Sequence, residues 1–438
     1  MPVSSPPLPS TKTARPPNAE QVKRDAVAGL ASLAKSDANK EVMGKMGALA
    51  ALIELVFKDD KNPTAYVTGH PKRTNQSSTG RFRVGTLEAK NGGGQRHSLD
   101  GQPSLEDLSA LPRRNSLGSS SVVSKTAFRV KGNAGDLQLT RLSAQTLATL
   151  LTNRANQEQF VEAGGLENTY RLVEQTTSVG LRTSLATILN NLARTPEYQA
   201  RIMDSDGLSA VIELANSSDD KACMNAVSCC KRLSTLNTNQ HKWPVECLEK
   251  ILSWLDVWDT VKLQLLTMDT ITHLCEDCEV NRARLVELGG VPKIAQYLDM
   301  DKYDDDIRLL AAKCISKIAI SEVSRPHLAL PQVLDSFRSL VEHGMVVNDV
   351  EQLRAALDAM CMLADCEENK TKLSDAGYVE VIFHTVDTVS DKILRRSCTK
   401  CLMLIAEADD CREQMMVYIP KVGAHSNEHV ILHHLCAS

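Results

Sequence analysis

Glu162-Ala163-Gly164-Gly165-Leu166 is the clearest copy of a phrase that recurs along the chain: a small or acidic residue, one or two glycines, then an apolar helix. The other copies are Lys45-Met46-Gly47-Ala48-Leu49, Asp206-Gly207-Leu208, Glu287-Leu288-Gly289-Gly290-Val291 and Asp375-Ala376-Gly377-Tyr378-Val379. Their spacing decides the fold. Gly165 and Gly207 are 42 residues apart, Gly207 and Gly290 83, and Gly290 and Gly377 87, so the last two intervals are each close to two periods. A fixed period of this length is the signature of a stacked repeat array. It predicts an all-α solenoid in which each unit contacts only its neighbours.

The intervening sequence supplies the helices. Leu185, Ile188, Leu189 and Leu192 form an i, i+3, i+4, i+7 stripe, and Leu353, Leu357, Met360 and Ala364 form another. Two units, centred near Glu246–Leu255 and Pro331–Val341, lose the glycine turn but keep the helices. Between residues 59 and 136 the pattern stops. This stretch holds Pro63, Pro71, Pro103 and Pro112, the run Asn91-Gly92-Gly93-Gly94 and a serine-rich run from Ser116 to Ser121. Such a sequence buries too little apolar surface to offset its ordering entropy. Gly47 and Gly165 are 118 residues apart, one period plus about the length of that stretch, which places it as an insertion within one repeat. The expected organisation is a disordered tail over 1–19, N-terminal units over 20–60 and a disordered insertion over 61–136. The repeat array follows over 137–422, and a C-terminal helix or tail over 423–438. Without tail and insertion about 340 residues remain, enough for about eight units.

Composition narrows the classes. Forty-two per cent of residues are apolar and only 4% aromatic, which suits Leu- and Ala-rich helix packing better than a base-stacking surface. No run of about 18 apolar residues is present. The start Met1-Pro2-Val3 lacks the pattern of a signal peptide or a myristoylation site, and the end Cys436-Ala437-Ser438 lacks a prenylation box. These features set the expectation of a soluble intracellular protein, cytoplasmic or nuclear, with no membrane insertion. The 13 cysteines are then expected to stay reduced. The CxxC pairs Cys275/Cys278 and Cys398/Cys401 read as core thiols, because they lie 123 residues apart on helices rather than converging on one ion. His425, His429 and His433 recur every fourth residue, but no thiolate or carboxylate is placed to complete a metal site.

The repeats resemble the armadillo family. Asn156-Gln157-Glu158-Gln159-Phe160-Val161-Glu162-Ala163-Gly164-Gly165-Leu166 and Ile188-Leu189-Asn190-Asn191-Leu192-Ala193 are close to its consensus. The resemblance covers about three-quarters of the chain. It implies units of a short first helix, a glycine turn and two longer antiparallel helices, wound into a right-handed superhelix. Third helices then line a groove that holds a peptide or protein partner. In relatives that resemble karyopherin-alpha, each third helix presents a Trp and, four residues on, an Asn, which clamp a basic peptide. The matching positions here are Ala28 and Ser32, Thr146 and Leu150, Thr187 and Asn191, and Ser228 and Arg232. They continue as Asp269 and His273, Lys313 and Lys317, Asp358 and Met362, and Lys400 and Leu404. None is Trp and one is Asn, and Arg232, Lys313, Lys317 and Lys400 would repel a basic cargo. The candidate groove contacts are therefore Asn191, Arg232, Asp269, His273, Lys313, Lys317, Asp358 and Lys400.

The net charge of −4 hides a division. Residues 61–140 carry twelve Lys or Arg against five acids, the first 20 residues carry +1, and the remainder carries −12. A basic arm is thus tethered to an acidic scaffold. Within the arm Arg113-Arg114-Asn115-Ser116-Leu117 resembles a basophilic-kinase substrate, and Arg96-His97-Ser98-Leu99 is a weaker second site. Phosphate at Ser116 would add about −1.5 to −2 charge. No GxxxxGK[ST], strand-borne GxGxxG, HExxH or GxSxG motif occurs, and an acidic array poor in aromatics does not suit nucleic acid. The sequence therefore reads as a non-enzymatic scaffold or adaptor that needs no cofactor. A nuclear-transport adaptor and a structural component of a cytoskeletal or ciliary assembly are the alternatives.

Overall fold

The computed structural model describes residues 18–57 and 134–418, apart from residue 205 and the side chains of residues 134 and 135. Within these limits it contains helices and turns and no strand. A lone long helix, α1 (Ala19–Leu33), comes first, and three-helix units follow. The first unit is α2 (Asp37–Lys45), α3 (Ala48–Val56) and α4 (Ala134–Leu150); the second is α5 (Arg154–Glu162), α6 (Gly165–Gln175) and α7 (Val179–Leu192). The third is α8 (Pro196–Met203), α9 (Gly207–Ala215) and α10 (Asp220–Ser234); the fourth is α11 (Asn237–Gln240), α12 (Val245–Val257) and α13 (Val261–Glu276). The fifth is α14 (Glu279–Glu287), α15 (Gly290–Ala295), continued by a 3-10 turn (Gln296–Leu298), and α16 (Asp305–Ile318). The sixth is α17 (Arg325–Leu328), α18 (Pro331–Val347) and α19 (Val350–Ala364), and the seventh is α20 (Glu367–Asp375), α21 (Tyr378–Thr388) and α22 (Lys392–Ile405). A final first helix, α23 (Asp409–Met415), closes the described chain.

Seven full units, flanked by a leading third helix and a trailing first helix, agree with the period read from the glycines. The expected solenoid follows from how the helices pack. Third helices pack side by side in one row from α1 to α22, and second helices form a parallel row from α6 to α21. The two apolar stripes read from sequence lie at the seam: Leu185, Ile188, Leu189 and Leu192 are fully buried, as are Leu353, Leu357, Met360 and Ala364. In the two units that lost the glycine turn, the first helix shrinks to the four-residue α11 and α17.

The insertion enters between α3 and α4, a second and a third helix, and these two helices pack directly against one another. Helix α4 begins at Ala134, three residues before the array was expected to resume at 137. Ser98, Ser116, the C-terminal histidines and the 423–438 segment lie outside the described residues.

Each glycine phrase works by one of two means. Gly47, Gly164, Gly289 and Gly377 hold positive φ at the N-cap of a second helix. Gly207 and Gly290 hold ordinary φ but stand where a Cβ would meet the carbonyl oxygens of Ile202 and Leu285, at 2.6 and 2.7 Å. A double glycine supplies both.

First helices tie the units together. Asn156 Nδ2 donates to the Lys40 and Leu150 carbonyls, Asn281 Nδ2 to those of Gln240 and Leu274, and Asn369 Nδ2 to those of Arg325 and Leu363. In each case one carbonyl ends the preceding third helix and the other belongs to the previous first helix. Each asparagine thus joins two elements of the preceding unit through buried backbone carbonyls, groups that need partners once out of water. Arginines repeat the device: Arg282, next to Asn281, donates to the Cys275 and Glu276 carbonyls, and Arg325 in the sixth unit to those of Ala319 and Ile320.

The cysteines of both CxxC pairs are buried. Among the described residues no group of three or more His, Cys, Asp or Glu is arranged to hold a metal ion. Burial pushes the thiols of Cys229, Cys314 and Cys398 up to about 12, which leaves almost no reactive thiolate near neutral pH. Cys366, at the N-cap of α20, is only half-buried. Iodoacetamide should therefore modify Cys366 first among these residues in the native protein, while Cys229, Cys314 and Cys398 label only on unfolding. Site-resolved mass spectrometry reads the order, and early modification of Cys314 would contradict it.

Candidate functional site

The third helices pack in one row, and α4, α7 and α10 of that row floor an open cavity of about 580 Å³. Helix α4 contributes Arg141, Gln145, Ala148 and Thr149; α7 contributes Gly180, Thr183, Ser184, Thr187, Asn190 and Asn191; α10 contributes Lys221 and Asn225. Thr152 and Arg194, just past the ends of α4 and α7, complete it. Most of these residues stand four apart: Arg141, Gln145, Thr149; then Thr183, Thr187, Asn191; then Lys221, Asn225. Spacing of i, i+4 places them on one helix face, opposite the buried stripe.

Hydrogen bonds fix this floor. Asn225 Nδ2 donates to Thr187 Oγ1 at 3.2 Å, Asn190 Nδ2 donates to Asn225 Oδ1 at 3.2 Å, and Arg232 Nε donates to Asn190 Oδ1 at 3.1 Å. Thr149, Thr187 and Ser184 each donate their hydroxyl to the carbonyl four residues back. The acceptors are thus largely engaged, while the side-chain donors of Arg141, Gln145, Arg194 and Lys221 point to an open surface.

Further along, the surface becomes a ladder of opposite charges. Lys231 pairs with Asp269 between α10 and α13, Lys317 with Glu276 at 3.0 Å between α16 and α13, and Lys313 with Glu351 at 2.5 Å between α16 and α19. His273 Nδ1 lies 2.7 Å from the Asp269 carbonyl and 3.5 Å from its carboxylate. On α19 the surrounding protein raises the Asp358 carboxyl above its ordinary value, against the downward pull of Arg354 and then Lys400.

All eight residues singled out from the sequence stand on third helices. Asn191 is 5% exposed, and its Nδ2 donates to the Ala148 carbonyl while its own carbonyl accepts from Gln157. It therefore ties α7 to α4 and α5 at the groove floor. Arg232 braces Asn190, and Asp269, His273, Lys313 and Lys317 belong to the charge ladder; Asp358 and Lys400 lie near its far end. The sequence reading missed Arg141, Gln145, Thr149, Arg194, Lys221 and Asn225. On α4 it marked Thr146 and Leu150, which are buried, one residue off the lining row. The polar i, i+4 rows were the available signal. The three tryptophans lie off the third helices: Trp243 and Trp254 are buried, and Trp258 stacks on Trp254 with ring centroids 5.1 Å apart.

No protein-family model matches the chain. Among curated proteins it is similar to junction plakoglobin of Homo sapiens and of Mus musculus, each 22% identical over 285 residues, covering 64% of this chain and 37% of the relative. The match thus spans little more than a third of those relatives' length. Among solved structures, an engineered protein superposes with a TM-score of 0.59 at 16% identity, over 96% of this chain and 95% of that one. A designed armadillo repeat protein in complex with the peptide (KR)4 gives a TM-score of 0.48 at 17% identity, over 55% of this chain and 99% of that one. No described helix is long and apolar enough to cross a membrane.

Proposed function

We propose that this armadillo-type α-solenoid is a non-enzymatic scaffold or adaptor that holds an extended segment of a partner protein along its third helices. One observation carries the reading: the third helices α4, α7 and α10 build a polar floor on which Arg141, Gln145, Arg194 and Lys221 stand exposed with side-chain donors that make no bond among the described residues. An extended chain presents backbone carbonyls at regular intervals, and a row of side-chain donors can donate to them without specifying sequence. Arg232, Asp269, His273, Lys313, Lys317, Asp358 and Lys400 continue this surface and would read charge pattern on a longer partner. The basic insertion over 61–136 would set access to the acidic array, with Ser116 and Ser98 as substrates of a basophilic kinase. The expected setting is cytoplasmic or nuclear.

The test is selection from a displayed peptide library with the full chain, followed by affinity measurement on a Thr187→Trp variant. Thr187 is half-buried at the centre of the floor, so an indole there fills the groove and leaves the core stripe intact. Selected peptides should lose at least about tenfold in affinity, equivalent to about 1.4 kcal/mol, with an unchanged melting curve. Peptides that bind the variant as well as the parent would move the site elsewhere. An affinity unaltered by deletion of 61–136 at any salt concentration would remove the insertion from the scheme and leave the scaffold.

A further inference from the structure

We infer that the segment taken up over α4, α7 and α10 is an acidic one, whose carboxylates meet Arg141, Arg194 and Lys221; this deepens the groove reading and rests on it. The lining of that cavity holds these three cations and no Asp or Glu. Among the described residues none of the three is in an ion pair. Asp219, beside the lining, turns Oδ2 to the Thr183 hydroxyl at 2.6 Å and the Ala222 N–H at 2.9 Å as the N-cap of α10, and forms an ion pair with none of the three cations. The cations of the charge ladder differ, because Lys231, Lys313 and Lys317 each face a carboxylate on the neighbouring helix. The third-helix surface over α4, α7 and α10 therefore carries positive charge with no acid in its lining, in an array whose charge outside the tail and insertion is −12.

The floor is also shaped for one of these cations. A Cβ at Gly180 would stand 2.6 Å from Arg141 Cδ. The bare Gly180 backbone lets Arg141 lie across the first turn of α7 and bring its guanidinium over the cavity. A planar guanidinium with free donors matches a carboxylate bidentately. Neighbouring packed helices lie roughly 8–10 Å apart, so three of them span roughly five or six residues of extended chain. Alternate side chains of that chain face the same way, which suits acids at every second position.

Fluorescence anisotropy on the full chain decides this, using three dye-labelled peptides: alternating Glu and Ser, alternating Lys and Ser, and alternating Gln and Ser. The Glu/Ser peptide should bind at least about tenfold tighter than the Lys/Ser peptide, with the gap closing as salt shortens the Debye length. The combined Arg141→Gln, Arg194→Gln and Lys221→Gln variant should lose about tenfold for the Glu/Ser peptide while melting normally, since all three residues are exposed. Arg154→Gln with Lys242→Gln, two cations that lie on no third helix, should leave that affinity unchanged. Equal or tighter binding of the Lys/Ser peptide, still abolished by Thr187→Trp, would overturn the acidic preference and leave the groove standing. An equal loss from the Arg154 and Lys242 changes would overturn the location. Binding of no peptide, together with a library that yields nothing sensitive to Thr187→Trp, would overturn the groove and this inference with it.

Discussion

Replacing Gly290 with alanine should destabilise the array by roughly 2–3 kcal/mol, although glycine to alanine within a helix ordinarily stabilises by up to about 1 kcal/mol. The sign reverses because the new Cβ has nowhere to go. It would stand 2.7 Å from the Leu285 carbonyl oxygen and 3.1 and 3.3 Å from the two methyls of Leu252. The first of these neighbours is backbone near the end of α14, so relief requires α15 to move as a body off α14, and the Leu252 methyls of α12 crowd it as well. Valine at this position should cost more than about 3 kcal/mol. Gly289 offers the internal control. It holds φ +69° with no heavy atom within 4 Å of its absent Cβ. Alanine there meets only the left-handed backbone cost of about 1–2 kcal/mol, partly offset by the stiffer unfolded chain, for a net of about 1 kcal/mol. Urea unfolding followed by tryptophan fluorescence reads this junction directly, because Trp254 shares α12 with Leu252. A Gly290→Ala protein as stable as the parent would mean that α15 does not approach α14 and Leu252 this closely.

The glycine pair shows what part of the fold was legible. Both of its roles are local, one a backbone angle and the other a close approach between adjacent helices, so the phrase survives in sequence wherever a second helix begins by a glycine turn. Where the turn is built differently, as before α12 and α18, the phrase vanishes, and with it any marker that the first helix had shrunk to four residues. The groove was legible in kind but not in register. Reading α4 one residue late rotates the helix by about 100° and exchanges the exposed Gln145 for the buried Thr146. Charge pairing was illegible for a different reason. Lys313 and Glu351 are 38 residues apart, and Lys317 and Glu276 are 41, so the sequence names the charges but not which of them cancel. That cancellation separates the ladder from the open cations over α4, α7 and α10.

Asn281→Ala should cost roughly 2–4 kcal/mol, from a residue that the period alone gave no reason to notice. Asn281 is fully buried, and its Nδ2 reaches the Gln240 carbonyl at 2.8 Å and the Leu274 carbonyl at 3.0 Å. Each carbonyl ends a helix of the preceding unit, and a buried carbonyl left without a donor costs about 1–3 kcal/mol. Asn281 Oδ1 has no hydrogen-bond partner of its own, so the substitution also releases one unsatisfied group, which holds the net below the sum. The exposed Asn237, whose Nδ2 pairs with Asp277 at 2.7 Å, provides the contrast: Asn237→Ala should stay within about 0.5 kcal/mol of the parent. Because units of a solenoid couple only to their neighbours, the loss at Asn281 falls on one junction, between the fourth and fifth units. Native-state hydrogen exchange should then show early opening of α13 and α14, with α4 and α7 unaffected. Asn369→Ala makes the same break two units on, and the double variant should be additive within about 0.5 kcal/mol. A single cooperative loss of protection along the whole array would contradict this, and would mean that the asparagine ties spread their energy well beyond the two units they join.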